Sequence, residues 1–247
     1  MKILVCISKV PDTTSKINFV DNDTKFDENG VQYVVNPYDE WYALVRALEL
    51  VEAQGGSVTT ITVGTSADDP TIRKALAIGA DEAIRINANP TDGFFVAKQL
   101  AQVIQTGGYD LIIAGTESID YNGGMVPGMI SKLTGFNFVN TCISLEVEGS
   151  NAIAAREIDG GKEIISTTLP LIVGGQKGIV QEADLRIPNM RGIMQARSKP
   201  LKVMEPIDSN SEINIESFTK PDAKGSVKLV DNVNDLVELL HNEAKVI

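Results

Sequence analysis

Between Leu111 and Gly128 the chain reads LIIAGTESIDYNGGMVPG. An apolar run, Leu111–Ala114, leads into Gly115; Asp120 stands mid-loop, and Gly123-Gly124 falls just before a helix-forming stretch. Small and polar residues in this order suit holding a ligand better than breaking a bond. A parallel strand would deliver its carboxyl end to the loop, and the helix after it would offer unpaired N–H groups to an anion. The stretch matches neither the Walker A pattern nor GxGxxG, so it reads as a nucleotide or phosphate loop by shape alone. An ordinary strand-to-helix connection carries the same pattern.

The remaining polar residues offer little other chemistry. His241 is the only histidine and lies on the last helical stretch, which leaves no histidine-containing metal cluster and no central Ser-His-Asp arrangement. Glu157 and Asp159 in REIDGG sit beside a turn with no second carboxylate set opposite, and read as the charged rim of a hairpin. Asp68-Asp69 reads as a helix-start pair favoured by exposed N–H groups. Cys6 and Cys142 lie in apolar runs without a CxxC or other ligand pattern, so they read as buried thiols. Aromatic and basic residues do not interleave as they do on nucleic-acid surfaces. A net charge of −11, from 22 basic and 33 acidic residues, also argues against a nucleic-acid binder. What remains is a crevice without proton-transfer or nucleophilic machinery.

The elements that must position this loop follow from hydrophobic period. The 247 residues, 43% hydrophobic, suffice for a sizeable core. Lys2–Val10 reads as a buried central strand broken by Pro11-Asp12-Thr13-Thr14, and residues 15–35 as a small excursion or hairpin. Asn36-Pro37 reads as a helix start, with Asn as cap, followed by Trp41, Leu44, Val45, Leu48 and Val51 at helical spacing. Then come a strand at Ser57–Gly64, a helix at Pro70–Ile78 closing on a left-handed Gly79, and a strand within Asp81–Asn87. A helix starting at Asp92 and stopping at Gly107-Gly108 precedes the Leu111–Ala114 strand, and another helix spans about Gly124 to Lys132. This alternation predicts an α/β fold with a mostly parallel sheet, its loops after Val10, Gly64 and Gly115 sharing one edge. No long apolar segment opens the chain or crosses a membrane, so the expected location is cytoplasmic.

The later chain changes character. Strands at Thr141–Glu148, Ala152–Ile158, Lys162–Thr168 and Pro170–Gly174 are separated by hairpin signals at Gly149-Ser150-Asn151 and Asp159-Gly160-Gly161. Residues 175–205 read as an extended connector or arm, with Met190, Ile193 and Met194 as an apolar patch or a docked helix face. After Ser209 the composition is loop-like until a final helix at Asn234–His241. The expected division is residues 1–205 and a tail, 206–247.

Over nearly its whole length the chain resembles the electron-transfer flavoprotein beta subunits. The resemblance rests on ILVCISKVPD, NPYDEWYALVRALEL, DDPTIRKALAIGADEAIRI, GTESIDYNGGMVPGMIS, AAREIDGGKEIISTTLPLIV and ADLRIPNMRGIMQARSKPLKV, in that order. Universal-stress and ATP-pyrophosphatase relatives are not expected to carry the long C-terminal part. The resemblance implies a Rossmann-like domain of the adenine nucleotide alpha hydrolase type, helices on both sheet faces, and a C-terminal hairpin region and arm. It implies a heterodimer with an alpha subunit that holds most of a redox-active FAD, and an AMP in the beta crevice, replaced by a second FAD in electron-bifurcating, NADH-dependent relatives. Electrons would enter from an acyl-CoA dehydrogenase of fatty-acid oxidation or another dehydrogenase and leave to a quinone oxidoreductase or other acceptor. The chain would then be a carrier subunit, an enzyme only if bifurcating, and itself neither a membrane protein nor a nucleic-acid binder.

Matching motifs carry the nucleotide site onto Cys6, Asn36, Pro37, Tyr38, Asp39, Val63 and the loop Gly115, Thr116, Glu117, Ser118, Ile119, Asp120, Tyr121, Asn122, Gly123, Gly124, Met125 and Val126. Backbone at Cys6 and Val63 would meet an adenine edge, Asn36 would steady the first loop, Asp120 the long one, and amides around Asn122–Val126 would take the phosphate. Tyr38 would pack toward the alpha subunit's flavin, and Ile187, within the arm Asp184–Arg197, would insert into a dehydrogenase partner. The loop after Ile119-Asp120 is less polar than in many relatives, and the lysine-rich run some of them carry after the arm is here MQARSK. From the crevice alone, a stand-alone adenine-nucleotide-binding regulatory protein is the alternative reading.

Overall fold

The first strand, β1 (Lys2–Cys6), buries Ile3, Leu4 and Val5 completely and forms the centre of the fold in this computed structural model, which describes all 247 residues. Strand β2 (Lys9–Pro11) follows, then two-residue strands β3 (Phe19–Val20) and β4 (Lys25–Phe26), and β5 (Tyr33–Val35), which pairs with β2. Helix α1 (Glu40–Gln54), β6 (Ser57–Gly64), α2 (Asp69–Ile78), β7 (Glu82–Asn87), α3 (Gly93–Gly107), β8 (Leu111–Gly115) and α4 (Val126–Thr134) complete the alternating half. Next come β9 (Asn137–Glu148), β10 (Asn151–Ile158), β11 (Gly161–Thr168), β12 (Leu171–Gly175), α5 (Met190–Ala196), β13 (Leu201–Met204) and α6 (Val233–Glu238).

Nine strands form one sheet in the order β11-β10-β9-β12-β8-β1-β6-β7-β13, and only β10 runs against the others. Burial on both faces explains the continuous apolar strands. Ile3 and Val5 point into one cluster with α1 and α2, while Leu4 and Cys6 point into another with α3 and Ile130 of α4. The fold is therefore α/β with helices on both faces of a mostly parallel sheet.

Four local expectations are corrected. The first strand ends at Cys6 because the Ser8 amide leaves the ladder and donates to the Glu40 carboxylate at 2.6 Å. Asn36 does not cap α1, which starts at Glu40; its Nδ2 donates instead to the Glu117 carbonyl at 2.7 Å. Gly79 follows α2 with φ 160°, outside the left-handed region, and a Cβ there would fall 2.7 Å from Leu48 Cδ1. Residues 175–205 are not merely an extended connector. They hold α5 and then β13, which pairs in parallel with β7 from Leu201 opposite Ala83 to Met204 opposite Ile86.

By contacts the chain divides into a large unit, Met1–Asn18 with Asp27–Ile215, and a small one, Phe19–Phe26 with Glu216–Ile247. The large unit holds the nine-stranded sheet and both core clusters. In the small unit Asp21, Asn22 and Asp23 turn the β3–β4 hairpin with φ of 54° to 61°, and Phe19 stacks on Phe218 with ring centroids 4.7 Å apart. Asn232 caps α6 through the Asp235 amide, and a wider turn, Leu239–Ala244, continues the helix. No helix is long and apolar enough to cross a membrane.

Candidate functional site

The chain winds from β1 through α1 to β6 and through α2 to β7 on one side, then crosses by α3 to β8 on the other side of β1. The direction of winding reverses between β1 and β8. In parallel α/β sheets a crevice opens there, outside the carboxyl ends of the strands. Cys6 is the last residue of β1, Gly115 the last of β8 and Val63 the last but one of β6, so topology brings these three expected site residues to one sheet edge.

The loop after β8 is built by its own polar groups. Thr116 N donates to Gly175 O at 2.9 Å and its hydroxyl to Gly174 O at 3.0 Å, tying the loop to β12. Ser118 and Gly123 pair across the loop as an isolated antiparallel bridge. Asp120 accepts from the Ser118 hydroxyl and from the Tyr121 amide, so one carboxylate folds the turn, and Asn122 sits in the left-handed region with φ 51°. A Cβ at Gly124 would stand 3.2 Å from Thr116 O, which shows how closely the two sides of the loop approach. Helix α4 then begins with no side-chain cap and with Pro127 in its first turn. Its first amides carry the dipole's positive end without an internal partner, the arrangement anions bind.

The start of α1 clamps the two strand ends together. Asp39 accepts the Glu117 amide at 2.9 Å, while Glu40 accepts the Ser8 amide at 2.6 Å and pairs with the Ser8 hydroxyl at 2.7 Å. A Cβ at Gly115 would stand only 3.0 Å from Asp39 Cβ and from Glu40 Cγ, so the helix is pressed against the end of β8. Asn36 is fully buried; beyond its bond to Glu117 O, its Oδ1 is enclosed without a partner. Burial pushes the Glu40 carboxyl up to about 8, with Asp120 and Asp39 adding to the rise and the Ser8 bonds opposing it. Burial likewise raises the Asp39 carboxyl. The Cys6 thiol is pushed up to about 12, chiefly by burial and then by Glu40, which makes it unreactive.

Not every expected site residue meets this crevice edge. Pro37 and Tyr38 line a separate groove of about 810 Å3 with Trp41, Ala77, Ile78 and Ile193, and Tyr38 is half exposed. Ile187 belongs to the segment before α5 and is 79% exposed. Trp41 Nε1 donates to the carbonyl of Arg186, whose guanidinium grips both Glu52 oxygens at 2.6 and 2.7 Å. Glu40 was missed by sequence reasoning, as was the part of Gly174-Gly175 in anchoring Thr116; the only local signal was a second acid directly after Asp39.

Comparison with known proteins accords with this architecture. An electron transfer flavoprotein domain matches residues 23–209. The electron transfer flavoprotein subunit beta of Bacillus subtilis is 34% identical, with both chains covered in full. The chain belongs to the electron-transfer flavoprotein beta subunits. The mitochondrial subunit beta of Arabidopsis thaliana is 32% identical over both full lengths, and subunit beta of Syntrophomonas wolfei 31%, covering 98% of that protein. Membership in this family assigns the chain to electron transport and to a flavoprotein system.

Proposed function

We propose that this beta subunit holds an adenine nucleotide at the β1–β8 crevice and pairs with an alpha subunit to shuttle electrons from dehydrogenases to a quinone oxidoreductase or other acceptor. The observation that carries the reading is the uncapped start of α4, reached through a loop whose side chains are committed to shaping its own backbone. Amides from Asn122 to Val126 take the phosphate. Cys6 and Val63 present backbone to the adenine, and Asn36, with an enclosed and unpartnered Oδ1, supplies a polar group a nucleotide can satisfy. These residues fit AMP, and the same crevice fits the adenylate portion of FAD.

When bound, the FAD held mainly by the alpha subunit supplies the electron-accepting and electron-donating chemistry. This chain's residues have other tasks: Tyr38 faces the flavin from its groove, Ile187 anchors a dehydrogenase such as an acyl-CoA dehydrogenase, and residues 206–247 form a tail that packs on the alpha subunit. The experiment is co-expression with the alpha subunit, followed by extraction and counting of FAD and AMP per heterodimer. One of each is expected for the carrier. Two FAD and no AMP would assign the chain to bifurcation with NADH, and a stable monomer binding AMP without an alpha partner would replace the carrier reading with a regulatory one.

A further inference from the structure

The segment that carries Ile187 is fastened at its far end by an exchange of cations with α2. From α2, Arg73 Nη1 donates to the carbonyls of Ala196 and Lys199, both at 2.7 Å, at the end of α5 and just past it. In return Lys199 spends its ammonium donors on the end of α2, reaching the carbonyls of Ala80 at 2.6 Å, Leu76 at 3.0 Å and Gly79 at 3.2 Å. Between these two points the backbones nearly touch: a Cβ on Gly192 would stand 2.5 Å from the Ala77 carbonyl oxygen. Asn189 caps the start of α5 by accepting the Gly192 amide at 2.8 Å.

Hydrophobic packing holds little of this segment. Of the seven residues of α5 only Ala196 is buried, and a helix so short does not stand by itself in water. Its larger apolar side chains are exposed, Met190 by 75% and Met194 by 66%; four residues apart, these two share one face, and Ile187 precedes them by three residues. The exchanged caps therefore carry much of what fixes α5, and with it the direction in which its apolar face points.

We propose that Arg73 and Lys199 are positioning residues for dehydrogenase docking, which clamp α5 to α2 so that Ile187, Met190 and Met194 are presented as one preformed apolar face. The assignment rests on the docking role given to Ile187 above and says how that face is held. Without the clamp the segment has to be ordered as the partner arrives, and that ordering is subtracted from the docking energy.

The test uses the alpha–beta heterodimer, with flavin reduction by substrate-reduced dehydrogenase followed by stopped flow. Lys199→Met and Arg73→Ala should each lower kcat/KM roughly tenfold while kcat stays within about twofold. Arg73→Lys, whose ammonium can bond both carbonyls, should recover most of the loss. Arg73 and Lys199 are only half-buried, so these variants should fold, and bound nucleotide should match the wild type. Amide hydrogen exchange across residues 190–199 of the free heterodimer reads the clamp with no dehydrogenase present. It should quicken in Lys199→Met and Arg73→Ala while β1 and β8 exchange as before. Unchanged exchange would overturn the clamp, and a fall in kcat as large as that in kcat/KM would overturn its part in docking. Faster exchange with unchanged kcat/KM, in a heterodimer that Ile187→Ala does slow, would also overturn it. If Ile187→Ala and the clamp variants all left the rate alone, the docking reading itself would fall, and Arg73 and Lys199 would do no more than fasten α5.

Discussion

Replacing Ile187 with alanine should slow electron transfer from the dehydrogenase while leaving this subunit intact. Ile187 is 79% exposed, so the folded chain gains little from its side chain. Its backbone is nevertheless held firmly, because Arg186 grips Glu52 and its carbonyl takes the Trp41 indole N–H at 3.1 Å. An exposed apolar side chain on a braced segment is presented at little ordering cost. The substitution removes three carbon atoms, each worth about 0.8 kcal/mol when buried. Allowing for the fifth of the side chain already covered, about 2 kcal/mol of docking energy is lost, or roughly 30-fold. The assay is stopped-flow reduction of the heterodimer's flavin by substrate-reduced dehydrogenase, over a range of heterodimer concentrations. The loss should fall on kcat/KM with little change in kcat, and melting temperature and bound nucleotide should match the wild type. Glu52→Ala, which frees Arg186 without touching the docking side chain, should give a smaller loss of the same kind. Its direct effect on stability should be under about 1 kcal/mol, since the Glu52 side chain is 59% and that of Arg186 33% exposed. Rates within twofold of wild type for Ile187→Ala would refute the docking assignment, and a fall in melting temperature would refute the claim that the side chain serves no folding role.

Three further substitutions probe the crevice and the segment after β13. Gly115→Ala places a methyl 3.0 Å from Asp39 Cβ and Glu40 Cγ and should cost about 1–3 kcal/mol in urea denaturation, whereas Gly123→Ala, with nothing within 4 Å, should be nearly neutral. Equal effects would show that α1 is not pressed on β8. Asp92 accepts the Phe95 amide at 2.7 Å together with Ser211 Oγ, Glu212 N and Ile213 N. Desolvation would raise its carboxyl, but these bonds outweigh it and hold it at about 2, below the ordinary 3.8. A lowered acid stabilises above its unfolded value and loses that contribution as pH falls through the folded one. Proteolysis within 207–215 should therefore quicken between about pH 4 and pH 2, and at neutral pH in Asp92→Ala; equal cleavage of variant and wild type at pH 7 would remove the tether.

How much of this was legible in sequence depended on how local each interaction is. Strand β6 was read at Ser57–Gly64 and found there, because a β-branched run ending at glycine needs no distant partner. The buried thiols, the Gly107-Gly108 stop with Gly108 at φ 64°, and the hairpin turn at Gly160 with φ 81° were equally local. The start of α1 was displaced because Asn36 spends its amide on Glu117, 81 residues away. Strand β13 escaped because four residues between Pro200 and Glu205 acquire meaning only beside β7. In the candidate site, the loop's small residues and Asp120 were visible as pattern. The clamp was not, since Ser8 to Glu40 and Asp39 to Glu117 span 32 and 78 residues.

The polar side chains around the crevice share a feature that bears on what it does. Asn36 and Asp39 hold the two faces of Glu117, Glu40 holds Ser8, Thr116 holds the end of β12, and Asp120 holds its own turn. Each is spent on backbone, and the raised carboxyls of Asp39 and Glu40 are enclosed where they have no substrate proton to take. A site organised this way presents main-chain donors fixed in place by side chains. Recognition then depends on the spacing of amides at the start of α4, with preorganisation lowering the cost of binding. Such a site suits holding a ligand rather than transforming it, as the proposed nucleotide role requires. On the proposed function that is a coherent division of labour: the chemistry would reside in the flavin, and this chain would contribute a rigid seat, an arm and a docking residue.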